Sequence, residues 1–208
     1  MKKSTSILTD PFIYVERNVL TKHRCNSLIK NFEEDPRKRQ GISVSGLDLL
    51  TKDSIDLNIS VCADWKKHDS YIHSKLTKTI SNYYEHLNNT IDGTSFTGHK
   101  HFKFGAPSNL KDTGYQIQRT EPGKGYTWHH DFITEKIDNI HHTRYLTFIF
   151  YLNTVDEGWT QFYHGDQVAP ETGNVLIFPS SWNYLHQGFP PLQTKYIMTG
   201  WVYGEDES

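Results

Sequence analysis

The sequence predicts a mainly β fold, a sandwich or barrel with helices packed on its outside, and three observations carry that expectation. Two amphipathic helical patterns lie early in the chain, over 21–35 and 70–91. After Gly93 the chain becomes short alternating runs broken by turn residues: "YQIQRTEPGKG", "RYLTFIFYLNTVDEG", "GNVLIFPSSW" and "TKYIMTGWVYG". Its 208 residues are enough to bury one continuous core, so a single domain over 1–208 is expected, helical to about residue 92 and β-rich over about 93–204.

The elements follow in order. "FIYVERNVL" is a short strand candidate. In "TKHRCNSLIKNFEED" Thr21 is placed to cap a helix in which Cys25, Leu28, Ile29 and Phe32 recur at helical spacing, and Pro36 closes it. Residues 37–64, from "RKRQGISVSG" to "KDSIDLNIS", are polar with scattered aliphatics and two glycines, and read as a mobile surface loop in the position of a lid. The second helix covers "SYIHSKLTKTISNYYEHLNNTI", with a stripe of Tyr71, Leu76, Ile80, Tyr83, Tyr84 and Leu87. The chain shows no repeat and no low-complexity tract.

Composition excludes several function classes. A formal net charge of −2 leaves no basic footprint for nucleic acid, so no nucleic-acid partner is expected. Cys25 and Cys62 are far apart and form neither a disulfide framework nor a thiolate zinc site, which points to a reducing compartment. No apolar run reaches the roughly 18 residues needed to span a bilayer, and "MKKSTSILTDPFIYV" lacks a signal-peptide core. The expectation is a cytoplasmic protein with no membrane partner.

The chemistry concentrates in "GYTWHHDFI". Burying three adjacent polar side chains in a strand costs several kcal/mol unless each finds a partner. Residues i and i+2 of a strand share a face, so His129 and Asp131 point together and His130 points away. An imidazole and a carboxylate on one face are two legs of a facial triad suited to Fe(II). His186 in "NYLHQGFPP" is the candidate for the third. Metal binding there requires neutral imidazoles and weakens as pH falls.

Between Tyr145 and Ser208 the only Lys or Arg is Lys195, in the apolar strand "TKYIMTGWV", where it shares a face with Ile197, Thr199 and Trp201. A lysine directed inward needs an anion, since an unpaired buried charge is very costly. A dicarboxylate ligand fits, one end on the metal and the other on the ammonium.

The set "QRTEPGKGYTWHHD", "TFIFYLN", "GWTQF", "GNVLIFP", "YLHQG" and "TKYIMTGW", over roughly 114–204, resembles the Fe(II)- and 2-oxoglutarate-dependent dioxygenases, in particular their prolyl 4-hydroxylase-like branch. That resemblance implies a double-stranded β-helix, or jelly roll, with the N-terminal helices packed on one sheet. It implies Fe(II) on His129, Asp131 and His186, and 2-oxoglutarate with its far carboxylate on Lys195, assisted by Thr147 and Tyr151, with Trp201 as a pocket wall. It further implies O2 as co-substrate, ascorbate as a reductant, and oxidative decarboxylation coupled to C–H hydroxylation. The branch suggests a prolyl residue of a peptide or protein as substrate, and a free amino acid or other small molecule as the alternative.

Two positions depart from the family pattern. Thr120 stands where "RYEPG" has Tyr, so that tyrosine contact is missing or is supplied by another residue such as Tyr126, and Trp159 follows Gly158 where a second Gly is usual. Rival readings are weaker. His164-Gly165-Asp166 repeats HxD, but its central Gly suits a hairpin turn. His99, His101, His141 and His142 read as loop or strand-edge residues. Nucleic-acid demethylases of the superfamily carry two arginines after the distal His, and here none follows Arg144. A catalytically silent metal-binding interaction module would have no use for Lys195, and a zinc hydrolase lacks a placed general base. Trp128, Phe132, Tyr184 and Trp201 are candidate walls of the site, with Gln116 and Gln118 on the face of Thr120.

Overall fold

The computed structural model describes residues 6–43, 46–93, 103–105, 111–137 and 140–206. The elements run β1 (Tyr14–Glu16), α1 (Lys22–Glu34), β2 (Arg39–Gln40), β3 (Ile55–Asn58), α2 (Lys66–Thr90), β4 (Lys111–Asp112), β5 (Gln116–Thr120) and β6 (Tyr126–His129). They continue with β7 (Thr134–Ile137), β8 (Ile140–Tyr151), β9 (Thr160–Phe162), β10 (Gln167–Val168), β11 (Val175–Pro179), β12 (His186–Gly188) and β13 (Lys195–Asp206). The major sheet has the order β1-β11-β8-β13-β5-β3-β2, with β4 on β13 and β7 on β8; the minor sheet is β10-β9-β12-β6. Every pairing is antiparallel. This is the expected two-sheet jelly roll.

Alternation along the strands divides the interior in two. On β8, Phe148 and Phe150 face outward to the helices while Ile149 and Tyr151 face the minor sheet. The outer cluster joins Cys25, Leu28 and Phe32 of α1 and Ile72, Leu76, Tyr83 and Leu87 of α2 to Ile117, Phe148, Phe150, Ile177 and Met198. The inner cluster joins Ile149, Tyr151, Leu176 and Phe178 to Phe162 and Val168 of the minor sheet. Phe148 is fully buried between the major sheet and the helices. Phe148→Ala should therefore lower unfolding free energy by about 3–5 kcal/mol in a denaturant titration, with the slope unchanged.

The Thr21 hydroxyl accepts from Arg24 N and caps α1, as its sequence position suggested. α2 begins at Lys66, four residues before the expected start at Ser70, because a 3-10 turn over Ala63–Trp65 leads straight into it. That turn is anchored by the Trp65 indole, which donates to Asp35 at 2.9 Å.

Residues 37–64 differ from the expected mobile loop. Ile55–Asn58 is a strand of the major sheet, paired with β5, and Leu57 and Ile59 are buried. The alternation Ile55-x-Leu57-x-Ile59 was the signal, masked by its polar surroundings. The short strands β1, β2 and β3 also make the N-terminal part more than helical. His99 and His101 lie outside the described residues, and His164-Gly165-Asp166 forms the turn between β9 and β10, with Gly165 at φ +110°.

Candidate active site

Strands β6 and β12 are neighbours in the minor sheet, and His129 pairs directly across from His186. Asp131 follows two residues after β6 and turns inward, buried. Its oxygens lie 3.8 Å from His129 Nε2 and 3.6 Å from His186 Nε2, and one ligand atom from each of the three residues falls within 4.8 Å of the others. His129 Nδ1 donates to Thr127 O at 2.7 Å and His186 Nδ1 to Tyr184 O at 3.0 Å. A carbonyl only accepts, so both rings carry their proton on Nδ1 and present the Nε2 lone pair to the centre. Two imidazoles and one carboxylate on one side of a cavity form the donor set that suits Fe(II) with open positions.

Electrostatics favour the ligand forms. Burial, aided by the neighbouring His186, pushes the His129 imidazole down to about 4. For Asp131, burial pushes the carboxyl up, but His186, His129, the Thr147 hydroxyl and the Trp201 indole together outweigh it and leave it below the ordinary value. The Trp201 N–H faces this carboxylate without completing a hydrogen bond. At neutral pH His129 thus has no proton for a metal to displace. The share of metal affinity that depends on His129 should stay flat on acidification and fall only near pH 4. An NMR titration of the His129 ring in the metal-free protein from pH 7 to 4.5 checks this, and a midpoint near the ordinary imidazole value would contradict it.

The three residues open onto a cavity of about 480 Å³ between the sheets. Its major-sheet wall carries Lys195, Ile197, Thr199 and Trp201 of β13, the four residues that alternation placed on one face. Gln116, Gln118 and Thr120 of β5 also line it, with Gln118 donating to Gln116 at 2.7 Å. Lys195 is 4% exposed, and its ammonium donates to Gly158 O at 2.8 Å. Among the described residues it has no carboxylate partner, and burial lowers its pKa to about 8. A buried ammonium with one neutral acceptor, facing a metal-type donor set across the same cavity, fits a dicarboxylate.

The other predicted residues are placed as follows. Thr147 lines the cavity, but its hydroxyl donates to Asp131 at 2.8 Å and meets Ser180 at 3.0 Å, so it braces the aspartate. The Tyr151 hydroxyl, fully buried, meets Thr160 Oγ1 at 2.8 Å, and Thr160 in turn lines the cavity. Tyr126 lines the cavity beside Thr120, and its ring stacks on His129 at 3.5 Å and 14°. Trp159 packs on Phe189, 5.2 Å between centroids. His130 is exposed at the cavity edge.

Of the candidate aromatic walls, Trp201 lines the cavity, whereas Tyr184 belongs to the inner core and Trp128 packs on Tyr163. Sequence reasoning missed Ser180, Lys52 and the Arg144 guanidinium, which lies 3.7 Å from the Trp201 ring centre. None of them sits in a motif: the fold brings Lys52 and Arg144 to the cavity wall and Ser180 to the Thr147 hydroxyl.

Residues 115–203 match the family model of the 2OG-Fe(II) oxygenase superfamily. That stretch of the chain is similar to the 2OG-Fe(II) oxygenases. No curated protein sequence matches the chain. Among solved structures, the chain resembles a viral collagen prolyl hydroxylase from Paramecium Bursaria Chlorella virus-1, solved with 2OG, at 16% identity and TM-score 0.57, covering 93% of this chain and 96% of that one. It also resembles a Trichoplax adhaerens prolyl hydroxylase, solved with a peptide fragment of the hypoxia inducible factor oxygen degradation domain, at 15% identity and TM-score 0.67, covering 93% and 84%. A Pseudomonas putida prolyl-4-hydroxylase follows at 14% and 0.61, covering 91% of each chain. At these identities the likeness is one of fold. No helix among the described residues is long and apolar enough to cross a membrane.

Proposed function

We propose that the chain works as a single catalytic domain that hydroxylates prolyl residues of a peptide or protein, using Fe(II), 2-oxoglutarate and O2. In this reading His129, Asp131 and His186 hold the iron, and Lys195 holds the far carboxylate of 2-oxoglutarate. The observation that carries it is the buried Lys195 ammonium facing the His-Asp-His cluster across one cavity. The prolyl hydroxylases among the solved structures of like fold, one of them solved with a peptide, support the substrate class.

Bound in this site, iron and 2-oxoglutarate supply the oxidation: O2 and 2-oxoglutarate become succinate and CO2, and one oxygen atom enters a substrate C–H bond. The chain's own residues position and exclude. Thr147 fixes the Asp131 carboxylate through Oδ2, the oxygen nearer His186, and leaves Oδ1 facing His129, while the Nδ1 hydrogen bonds hold both rings in orientation. Tyr151 orients Thr160 at the cavity wall near Lys195. Trp201, with Arg144 stacked on it, forms a flat apolar side against which a pyrrolidine ring packs. The surrounding β-strands keep bulk water from the reacting C–H.

The test is incubation with proline-rich peptides, Fe(II), 2-oxoglutarate and ascorbate, read by mass spectrometry. A gain of one oxygen on proline, matched by succinate, is expected. Hydroxylation of free proline with peptides untouched would overturn the peptide assignment and keep the chemistry.

A further inference from the structure

The segment between β2 and β3 does more than connect them. Thr51, Lys52 and Asp53 run along the free edge of β6: Thr127 N donates to Thr51 O at 2.9 Å, Asp53 N donates to Gly125 O at 3.0 Å, and Lys52 bridges to Tyr126. The same segment is fastened to the major sheet, because the Lys52 ammonium donates to Asp56 of β3 at 2.6 Å and Ser54 donates to the other oxygen of that carboxylate at 2.8 Å. One short strap therefore ties the two sheets together at the rim of the cavity, which Lys52 and Ser54 line.

Among the described residues, Lys52–Asp56 is the ion pair of a Lys or Arg in which both side chains are buried, at 6% and 7% exposure. Burying such a pair generally stabilises less than apolar residues of the same volume. A seam between two sheets could be closed by leucines. What the charge adds is contact with Tyr126: the ammonium lies 5.6 Å from its ring centre, and that ring is the one stacked on His129. A cation near an aromatic face is attracted to it and resists displacement of the ring.

We propose that Lys52 is a positioning residue for the metal site: held by Asp56, it keeps Tyr126 stacked against the His129 imidazole, so the strap and the metal-binding histidine move together. The proposal rests on the metal-site reading above. It makes the rim of the cavity, where substrate enters, mechanically continuous with the metal centre, and it assigns Tyr126 the role of coupler.

The test uses Co(II) as probe, its visible d–d spectrum and affinity being read in the whole protein without turnover. Asp131→Ala sets the baseline for loss of the site. Lys52→Met keeps the stem and removes the charge, and it should shift the d–d envelope and weaken Co(II) about tenfold, the loss typical of a support to a metal ligand. Lys52→Arg should restore both. Tyr126→Leu should give the same change, and adding Lys52→Met to it should give no further loss, because the two act through one contact. Unchanged spectrum and affinity in Lys52→Met, or full additivity in the double variant, overturns the proposal. If Lys52→Met does not fold, Asp56→Asn breaks the same link: a shifted spectrum with weaker Co(II) binding supports the proposal, and wild-type behaviour overturns it. A wild type that binds Co(II) no better than Asp131→Ala overturns the metal-site reading itself, and the proposal with it.

Discussion

Asp131→Ala should abolish the visible charge-transfer band that forms when 2-oxoglutarate is added anaerobically to the Fe(II)-loaded protein. Asp131 is the one anionic donor of the cluster, and its second oxygen is braced by Thr147. Loss of a group that merely supports a metal ligand costs about 10–100-fold in affinity, so loss of the ligand itself should cost at least about 100-fold. Removing it also leaves two imidazoles facing each other, with ring centres 4.2 Å apart, and no carboxylate to balance a dication. A band of wild-type intensity in Asp131→Ala would mean that the metal sits elsewhere. Thr147→Val should give a smaller loss on the same readout, since it unfastens the carboxylate without deleting it.

Lys195→Ala should raise the 2-oxoglutarate concentration needed for that band by about 10–100-fold, the worth of one buried charge-assisted hydrogen bond, with Fe(II) affinity unaltered. The pH dependence has a definite sign. Burial lowers the Lys195 pKa to about 8, so the free site keeps its ammonium below that pH and loses it above. An anionic ligand favours the charged form, so above about pH 8 binding must take up a proton. Affinity for 2-oxoglutarate should be flat below pH 8 and fall about tenfold per unit above it. Lys195→Ala should remove that slope. A slope that persists in the variant would assign the titration to another group.

The cavity residues on the strands were legible where a two-residue period or a motif placed them. Alternation alone put Lys195, Ile197, Thr199 and Trp201 on one face, and all four line the cavity. The same period put His129 and Asp131 together, and the central glycine of His164-Gly165-Asp166 marked a hairpin turn. What stayed hidden depended on which strands become neighbours. That Thr147 would spend its hydroxyl on Asp131 follows from β8 passing behind the end of β6, which a linear pattern does not encode. The strap was hidden for a different reason: Lys52 and Asp56 are charged, and the usual preference of charges for water argued for a solvated loop. Only their mutual pairing, visible in three dimensions, lets them sit inside.

The division of the site between two sheets has a consequence for which acids it can accept. The metal-type donors lie at the minor sheet, and the anchoring ammonium belongs to the first residue of β13 in the major one. The distance from one end of a bound diacid to the other is therefore gauged by the gap between the sheets, and that gap is held open by Phe162, Val168, Leu176 and Phe178 of the inner core. Discrimination between a five-carbon keto diacid and its homologues one carbon shorter or longer is then a matter of calibration by apolar packing, made by side chains that never meet the acid. Comparing the three acids in Leu176→Ala reads this directly, because a relaxed gauge shows as altered length preference while the metal-type donors and Lys195 are left untouched.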